Sequence, residues 1–134
     1  MRVIMAVFLL AGLWSGGSAY AKDCSNEQTQ TDLTICAVDN FNEADAELNA
    51  AYKQMTDRLK SEPDTLKLLV EAQRAWIGFR DAECTYATSA TVGGTIHPMM
   101  EAECREGLTR KRTADLNGYI SCEEGDLSCP LLPE

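Results

Sequence analysis

The residue types that could do chemistry are concentrated between Glu71 and Cys84, which read EAQRAWIGFRDAEC. Two aromatics, two arginines, three acids, a glutamine and a cysteine occupy nine of these fourteen positions. At 100° per residue, Gln73, Arg80 and Cys84 fall on one helix face together with apolar side chains. Burying an unpaired polar group is costly, so Gln73 and Arg80 need polar partners on a neighbouring helix. These polar residues could therefore form a site or hold the fold together.

Few other side chains could catalyse a reaction. A cysteine nucleophile needs a nearby base, but His97 is the only histidine and lies in an expected turn. No serine sits in a GxSxG elbow. Paired carboxylates could hydrolyse a sugar, but most of the 21 acids of a helical protein are expected to form a solvated face. We therefore predict that the protein is not an enzyme.

Metal, cofactor and carbohydrate sites are also poorly supported. The six cysteines form no CxxC pair, and a single histidine adds little to a metal site. Gly93-Gly94 is too short for a phosphate-binding loop. Trp76 and Phe79 stand at helical spacing, which favours the core over a sugar platform. We predict no metal and no cofactor.

The N-terminus resembles a secretory signal peptide. Arg2 gives a charged start, residues 3–14 are a 12-residue apolar run, and residues 19–21 read Ala-Tyr-Ala, a small-x-small cleavage site. The run is shorter than the ~20 residues that span a bilayer, so it predicts a leader and no membrane insertion. We expect cleavage near Ala21 and a periplasmic or secreted protein.

The charge restricts the partners. The chain has a formal net charge of −9, and loss of Arg2, the only charge in residues 1–21, would make it −10. Nucleic acid and anionic membrane both need a basic face, so neither is expected to bind. Long-range attraction favours a cationic partner.

Three helices are expected to build the domain, over residues 22–120. Thr29 and Asp32 resemble a capping box, and apolar spacings of 3 and 4 predict a first helix ending near Lys60. A second helix is predicted from about Asp64 to Thr88, and a third from His97-Pro98 to about residue 120. Residues 121–134 form a separate tail. The fold class is therefore all-α, an antiparallel three-helix domain without a sheet.

The cysteines are predicted to cross-link these helices through disulfide bonds. An even count in a small exported chain indicates three disulfides, for which 15 pairings exist. A hairpin centred near residue 94 brings Cys84 level with Cys104. Cys36 would lie about 9 Å along the axis from Cys84, beyond the ~7 Å limit on Cα separation. The preferred pairs are Cys24–Cys36, Cys84–Cys104 and Cys122–Cys129.

Helix register also predicts a polar cluster. If the first two helices form an antiparallel hairpin about residue 63, Asp45 lies opposite Arg80 or Asp81, and an ion pair with Arg80 is expected. Neighbouring hydrogen-bond partners are expected from Asn49, Tyr52 and Gln73. A structural role is favoured for this cluster over direct contact with a ligand.

A family resemblance adds to this interpretation. The residues that show it are Cys24, Thr29-Gln30, Cys36-Ala37, Ala44-Asp45-x-x-Leu48-Asn49-x-x-Tyr52, Ala72-Gln73-Arg74-Ala75-Trp76-x-x-Phe79-Arg80-Asp81-x-x-Cys84, Cys104, Leu108, Thr109, Arg112 and Leu116. This pattern resembles the LprI-type lysozyme inhibitor family. The resemblance implies an exported helical domain and, for some members, lysozyme inhibition. The chain differs from lipoprotein members in lacking a lipid-attachment cysteine, and it adds the tail.

The leading hypothesis is an inhibitor of a cationic peptidoglycan-cleaving enzyme, in particular a c-type lysozyme. The alternative is a periplasmic structural or protein-interaction module with another partner; a cell-wall hydrolase ranks below both. Exposed loops are expected to contact the target. The candidate residues are Val92, Gly93, Gly94, Thr95, Ile96 and His97 in one loop, and Glu123, Glu124 and Asp126 in the tail. The oligomeric state and the true target stay open.

Overall fold

A computed structural model describes residues 21–131 of the chain. Within this range lie three α-helices: α1 (Gln30–Arg58), α2 (Pro63–Ala87) and α3 (His97–Ile120). A short 3-10 helix, Ser89–Thr91, follows α2, and residues 21–131 contain no strand. The predicted all-α fold is confirmed. The apolar run of the expected signal peptide lies outside the described residues.

The helix ends agree closely with the sequence prediction. Thr29 Oγ1 accepts a hydrogen bond from Asp32 N at 3.1 Å and donates to Asp32 Oδ2 at 2.6 Å, so it caps α1. α1 ends at Arg58, two residues before the predicted end. His97 is the first residue of α3, so Pro98 falls in the first turn, where a missing N–H costs nothing.

The core lies mainly between α1 and α3, which make the most extensive helix contact of the described chain. Its buried members are Leu48, Ala51, Met55, Leu59, Leu116 and Leu131. The expected antiparallel hairpin of the first two helices is a much smaller contact than that of α1 with α3. α2 buries only Gln73, Arg80 and Cys84, while Trp76 packs partly buried on the core. Phe79, predicted to be in the core, is 54% exposed.

Three disulfides fix the helices and the two ends of the described chain. The pairs are Cys24–Cys36, Cys84–Cys104 and Cys122–Cys129, with Cα separations of 6.0, 5.6 and 5.8 Å. They are the pairs chosen from helix register. The first ties the N-terminal segment to α1, the second joins α2 to α3, and the third closes a loop after α3.

None of the helices within residues 21–131 is both long enough and apolar enough to cross a bilayer.

Candidate functional site

Arg80 is the centre of the polar cluster that joins the three helices. Its side chain is 10% exposed, and its Nη1 donates to Asp45 Oδ1 on α1 at 3.2 Å. The same nitrogen lies 3.4 Å from Thr109 Oγ1 on α3, and Nε donates to Asp81 Oδ1 at 3.0 Å. Asn49 Nδ2 in turn donates to Asp45 Oδ2 at 3.1 Å. One guanidinium therefore bonds to all three helices.

Two aromatic rings enclose the Arg80 guanidinium. Its carbon lies 5.4 Å from the ring centroid of Phe41 and 5.3 Å from that of Trp76. A planar cation within about 6 Å of a ring centroid is attracted by the negative face of the ring. The rings also shield the ion pair from water, which strengthens it. This geometry suits a fixed structural joint better than a ligand-binding group.

Gln73 and Tyr52 lie outside the Arg80 network. Gln73 Oε1 accepts a hydrogen bond from Arg112 Nε on α3 at 3.1 Å, and the Arg112 guanidinium lies 5.9 Å from the Trp76 ring. Tyr52 packs partly buried against the apolar core. The five predicted cluster residues are therefore divided between the Arg80 network, an Arg112–Gln73 bond and the core.

A second carboxylate–arginine network, which sequence reasoning missed, runs between α1 and α3. Arg110 Nε donates to Glu106 Oε1 at 2.8 Å, and Nη1 donates to Glu47 Oε2 at 3.3 Å. Glu43 lies 3.9 Å from Nη2. The Glu106 bond is the first cause of a raised pKa at Arg110, with the charges of Glu47 and Glu43 adding to it. The Glu106–Arg110 spacing of four residues is visible in the sequence. The Glu47 contact could not be predicted, because it depends on how α1 is rotated against α3.

The connection between α2 and α3 is a short, well-bonded loop. Thr91 Oγ1 donates to Thr88 O at 2.8 Å and lies 2.9 Å from His97 Nδ1. Gly93 has φ +83, a conformation that favours glycine. His97 therefore lies at the base of the loop and not at its tip.

The tip of this loop is apolar and exposed. Val92 is 69% exposed, and Ile96 is 39% exposed. A cleft of about 390 Å³ lies beside the loop, between it and the start of α1. Its lining residues are Gln30, Thr31, Thr34, Ile35, Thr95 and Pro98. The predicted loop therefore presents uncharged, partly apolar side chains at one end of the helical domain.

The tail forms a compact acidic loop closed by Cys122–Cys129. Asp126 Oδ1 accepts hydrogen bonds from Ser128 Oγ at 2.6 Å and Ser128 N at 2.9 Å, which lower the pKa of Asp126. Gly125 has φ +88, and Leu127 is fully exposed at the surface. Glu123 and Glu124 also point to solvent. This loop presents carboxylates around one apolar side chain.

Residues 21–131 contain no group of three or more His, Cys, Asp or Glu side chains placed to hold a metal ion. An open apolar groove of about 240 Å³ lies between the start of α2 and the ends of α1 and α3. Its lining residues are Met55, Leu59, Thr65, Leu68, Leu69, Ala72, Arg112, Tyr119, Pro130 and Leu131. Arg112 is the one ionisable group in that lining that is charged at neutral pH.

Comparison with known proteins gives one family and two relatives. The family model described as lysozyme inhibitor LprI matches residues 21–116. An uncharacterized protein of Rhizobium meliloti (strain 1021) is 41% identical over 113 residues, covering 76% of this chain and 81% of the relative. The uncharacterized protein YecT of Escherichia coli (strain K12) is 35% identical over 121 residues, covering 77% of this chain and 75% of the relative.

No solved structure matches the chain. The family match ends at residue 116, so the Cys122–Cys129 loop lies beyond it.

Proposed function

The chain belongs to the LprI lysozyme inhibitor family, and we propose that it is an exported, non-catalytic inhibitor of a cationic peptidoglycan-cleaving enzyme, a c-type lysozyme. The three disulfides support export, because such bonds form and persist in oxidising compartments such as the periplasm or the cell exterior. The family supports inhibition as the activity.

Charge is the observation that carries the choice of target. The chain has 21 acidic and 12 basic residues, which give a net charge of −9. The surface field is therefore negative, and it steers the protein towards a strongly basic enzyme and accelerates their association.

The loop of residues 92–97 is the better candidate for the inhibitory contact. Lysozymes cleave with two carboxyl groups in the sugar cleft. An acidic loop entering that cleft would meet like charge, which disfavours Glu123, Glu124 and Asp126. The 92–97 loop carries no acidic residue, and Val92 stands exposed at its tip. We assign cleft contact to the 92–97 loop and long-range attraction to the acidic surface.

Rigidity supports the same assignment. The loop is held at one side by the Cys84–Cys104 bridge and at its base by the Thr91–His97 hydrogen bond of 2.9 Å. A contact element that is already ordered loses less conformational entropy when it binds. His97 serves this base, and the contacting side chains are those of Val92 and Ile96.

A lysozyme turbidity assay with the oxidised protein tests the proposal. We expect inhibition at micromolar protein in low salt and clearly weaker inhibition at about 0.5 M salt, where the Debye length falls to about 4 Å. Absence of inhibition in both salts would exclude c-type lysozyme as the target. A pull-down from envelope extract, with lysozyme as competitor, then tests the alternative of an interaction module: a partner that lysozyme cannot displace would favour that module.

A further inference from the structure

The outward face of α2 carries an uninterrupted apolar stripe. Its members stand at alternating spacings of 4 and 3, and all six are exposed. They are Leu68, Ala72, Ala75, Phe79, Ala82 and Tyr86. We refer to these six residues as the α2 stripe. It lies opposite Gln73, Arg80 and Cys84, the residues by which α2 is anchored to the domain.

Apolar residues at this spacing are typical of a helix that packs lengthwise on another helix. Leu68, Phe79 and Tyr86 are 65%, 54% and 77% exposed, so no helix within residues 21–131 covers them. A helix that is apolar on both faces is ordinarily buried on both. The α2 stripe is therefore a packing face without its partner.

We propose that the partner is a second copy of this chain, with the two α2 helices packed antiparallel about a two-fold axis level with residue 77. Two-fold pairing makes the contact reciprocal, so each residue of the stripe must fit another residue of the same stripe. In this register Tyr86 faces Leu68 of the second copy, Phe79 faces Ala75, and Ala72 faces Ala82. Each large ring meets a smaller side chain, and the two alanines let the helices approach closely.

The apolar groove at the start of α2 supports this register. Leu68 and Ala72 line the groove, which has a volume of about 240 Å³. Antiparallel pairing places Tyr86 of the second copy at the level of Leu68, where its ring can enter the groove. This contact would cover the exposed Tyr86 ring and fill the groove. The two-fold axis repeats it at the other end of the dimer.

Charge also permits a second copy, although two chains of −9 repel each other at long range. The α2 stripe contains no charged residue. The nearest carboxylates, Glu71 and Glu83, lie on opposite flanks of it. In the antiparallel register Glu71 comes beside Thr85 of the second copy and Glu83 beside Leu69, so no two carboxylates meet.

The length of the α2 stripe gives an estimate of the area that the dimer would bury. From Leu68 to Tyr86 the stripe is about 27 Å long at 1.5 Å per residue. Pairing along that length buries on the order of 1,000 Å² in total, the lower limit for a specific interface. We therefore expect a weak dimer that dissociates on dilution.

Sedimentation of the oxidised protein over about 1–500 µM tests the pairing. The mass should rise from monomer to dimer and stop there, and added salt should favour the dimer by screening the repulsion of two acidic chains. Lysozyme binding would instead weaken with salt, so the two proposals fail separately. A monomer at every concentration, or growth beyond the dimer, would overturn the proposal.

Single-residue variants locate the contact. Phe79→Glu should weaken association at least about tenfold, because it places a charge in the apolar contact. Leu127→Glu adds the same charge at another exposed apolar position and should leave association unchanged. Circular dichroism spectra should show that both variants keep the helical fold. Equal association of the two variants would remove the α2 stripe as the contact.

A charge pair tests the antiparallel register. Ala72→Glu alone should weaken the dimer, and adding Ala82→Lys should restore it, because position 72 faces position 82 of the second copy. In parallel pairing position 72 would face itself, and the added lysine would give no recovery. Failure of the double variant to recover would exclude the proposed register.

Discussion

Arg80 Nη1 lies 3.2 Å from Asp45 Oδ1, and this ion pair joins the middle of α2 to α1. The guanidinium is buried between Phe41 and Trp76, while the Asp45 side chain stays 40% exposed. The arginine is thus the partner with little access to bulk water. Because α2 buries so few residues, this one side chain supplies much of its attachment.

We expect Arg80→Ala to lower the free energy of unfolding by about 2–3 kcal/mol. Removing one partner of a largely buried pair costs about 3–5 kcal/mol, and the partial exposure of Asp45 reduces that cost. The substitution also removes the contacts between the guanidinium and the two aromatic rings. Urea unfolding followed by circular dichroism measures the change.

Arg74→Ala is the matched control on the same helix. Arg74 is exposed and forms no ion pair within residues 21–131, so its removal should change stability by no more than about 0.5 kcal/mol. Equal losses in the two variants would mean that Arg80 contributes no more than any other arginine of α2.

Val92→Asp should weaken lysozyme inhibition at least about tenfold, because it puts a carboxylate on the loop that we assign to the catalytic cleft. Leu127→Asp makes the same charge change on the tail and should inhibit as well as the unchanged protein. Inhibition constants at one salt concentration give the comparison. If Leu127→Asp weakened inhibition more than Val92→Asp did, the inhibitory contact would have to be assigned to the tail.

Acid should destabilise the protein partly through Asp57. Hydrogen bonds from Lys53 first and Lys60 second lower the pKa of Asp57 from 3.8 to about 2. A depressed folded-state pKa contributes stability that is present above pH 3.8 and is lost as pH falls towards 2. Urea midpoints from pH 6 to pH 2 should therefore fall less for Asp57→Asn than for the unchanged protein.

Salt provides the control for this pH effect. Asp57 is at the surface, so its interaction with the two lysines is screened by ions. The difference between Asp57→Asn and the unchanged protein should shrink in about 0.5 M salt. A pH dependence that is identical in the two proteins at low salt would contradict the assignment.

Removing the Cys84–Cys104 bridge should loosen α2 more than the rest of the domain. The Cys84→Ala, Cys104→Ala double variant loses a closure of 20 residues, worth about 3 kcal/mol in the loop-entropy picture. α1 and α3 keep their extensive mutual contact. Hydrogen exchange should therefore accelerate most in α2; uniform acceleration in all three helices would show that α2 is not separately anchored.

Much of this architecture follows from periodicity. Apolar spacings, Thr29 as a cap and the prolines near helix starts located the helices to within about two residues. The same register gave the disulfides and placed Asp45 opposite Arg80. These features depend on axial position along the helices, which the number of intervening residues determines.

What could not be predicted depends on how each helix is rotated about its axis. α2 is apolar on two faces, so periodicity alone could not show that Phe79 points outward. The partner of Gln73, which is Arg112, and the Glu47 contact of Arg110 depend on how α3 packs against its neighbours. Local sequence contains neither relation, because tertiary packing sets helix rotation.

The order of the disulfides along the chain has a consequence for biogenesis. Each cysteine is joined to the next one, with separations of 12, 20 and 7 residues. In a chain that enters an oxidising compartment N-terminus first, each pair is complete before the next cysteine emerges. Oxidation in order of arrival therefore gives the native pairs, and the protein can mature without a step that reshuffles wrong ones.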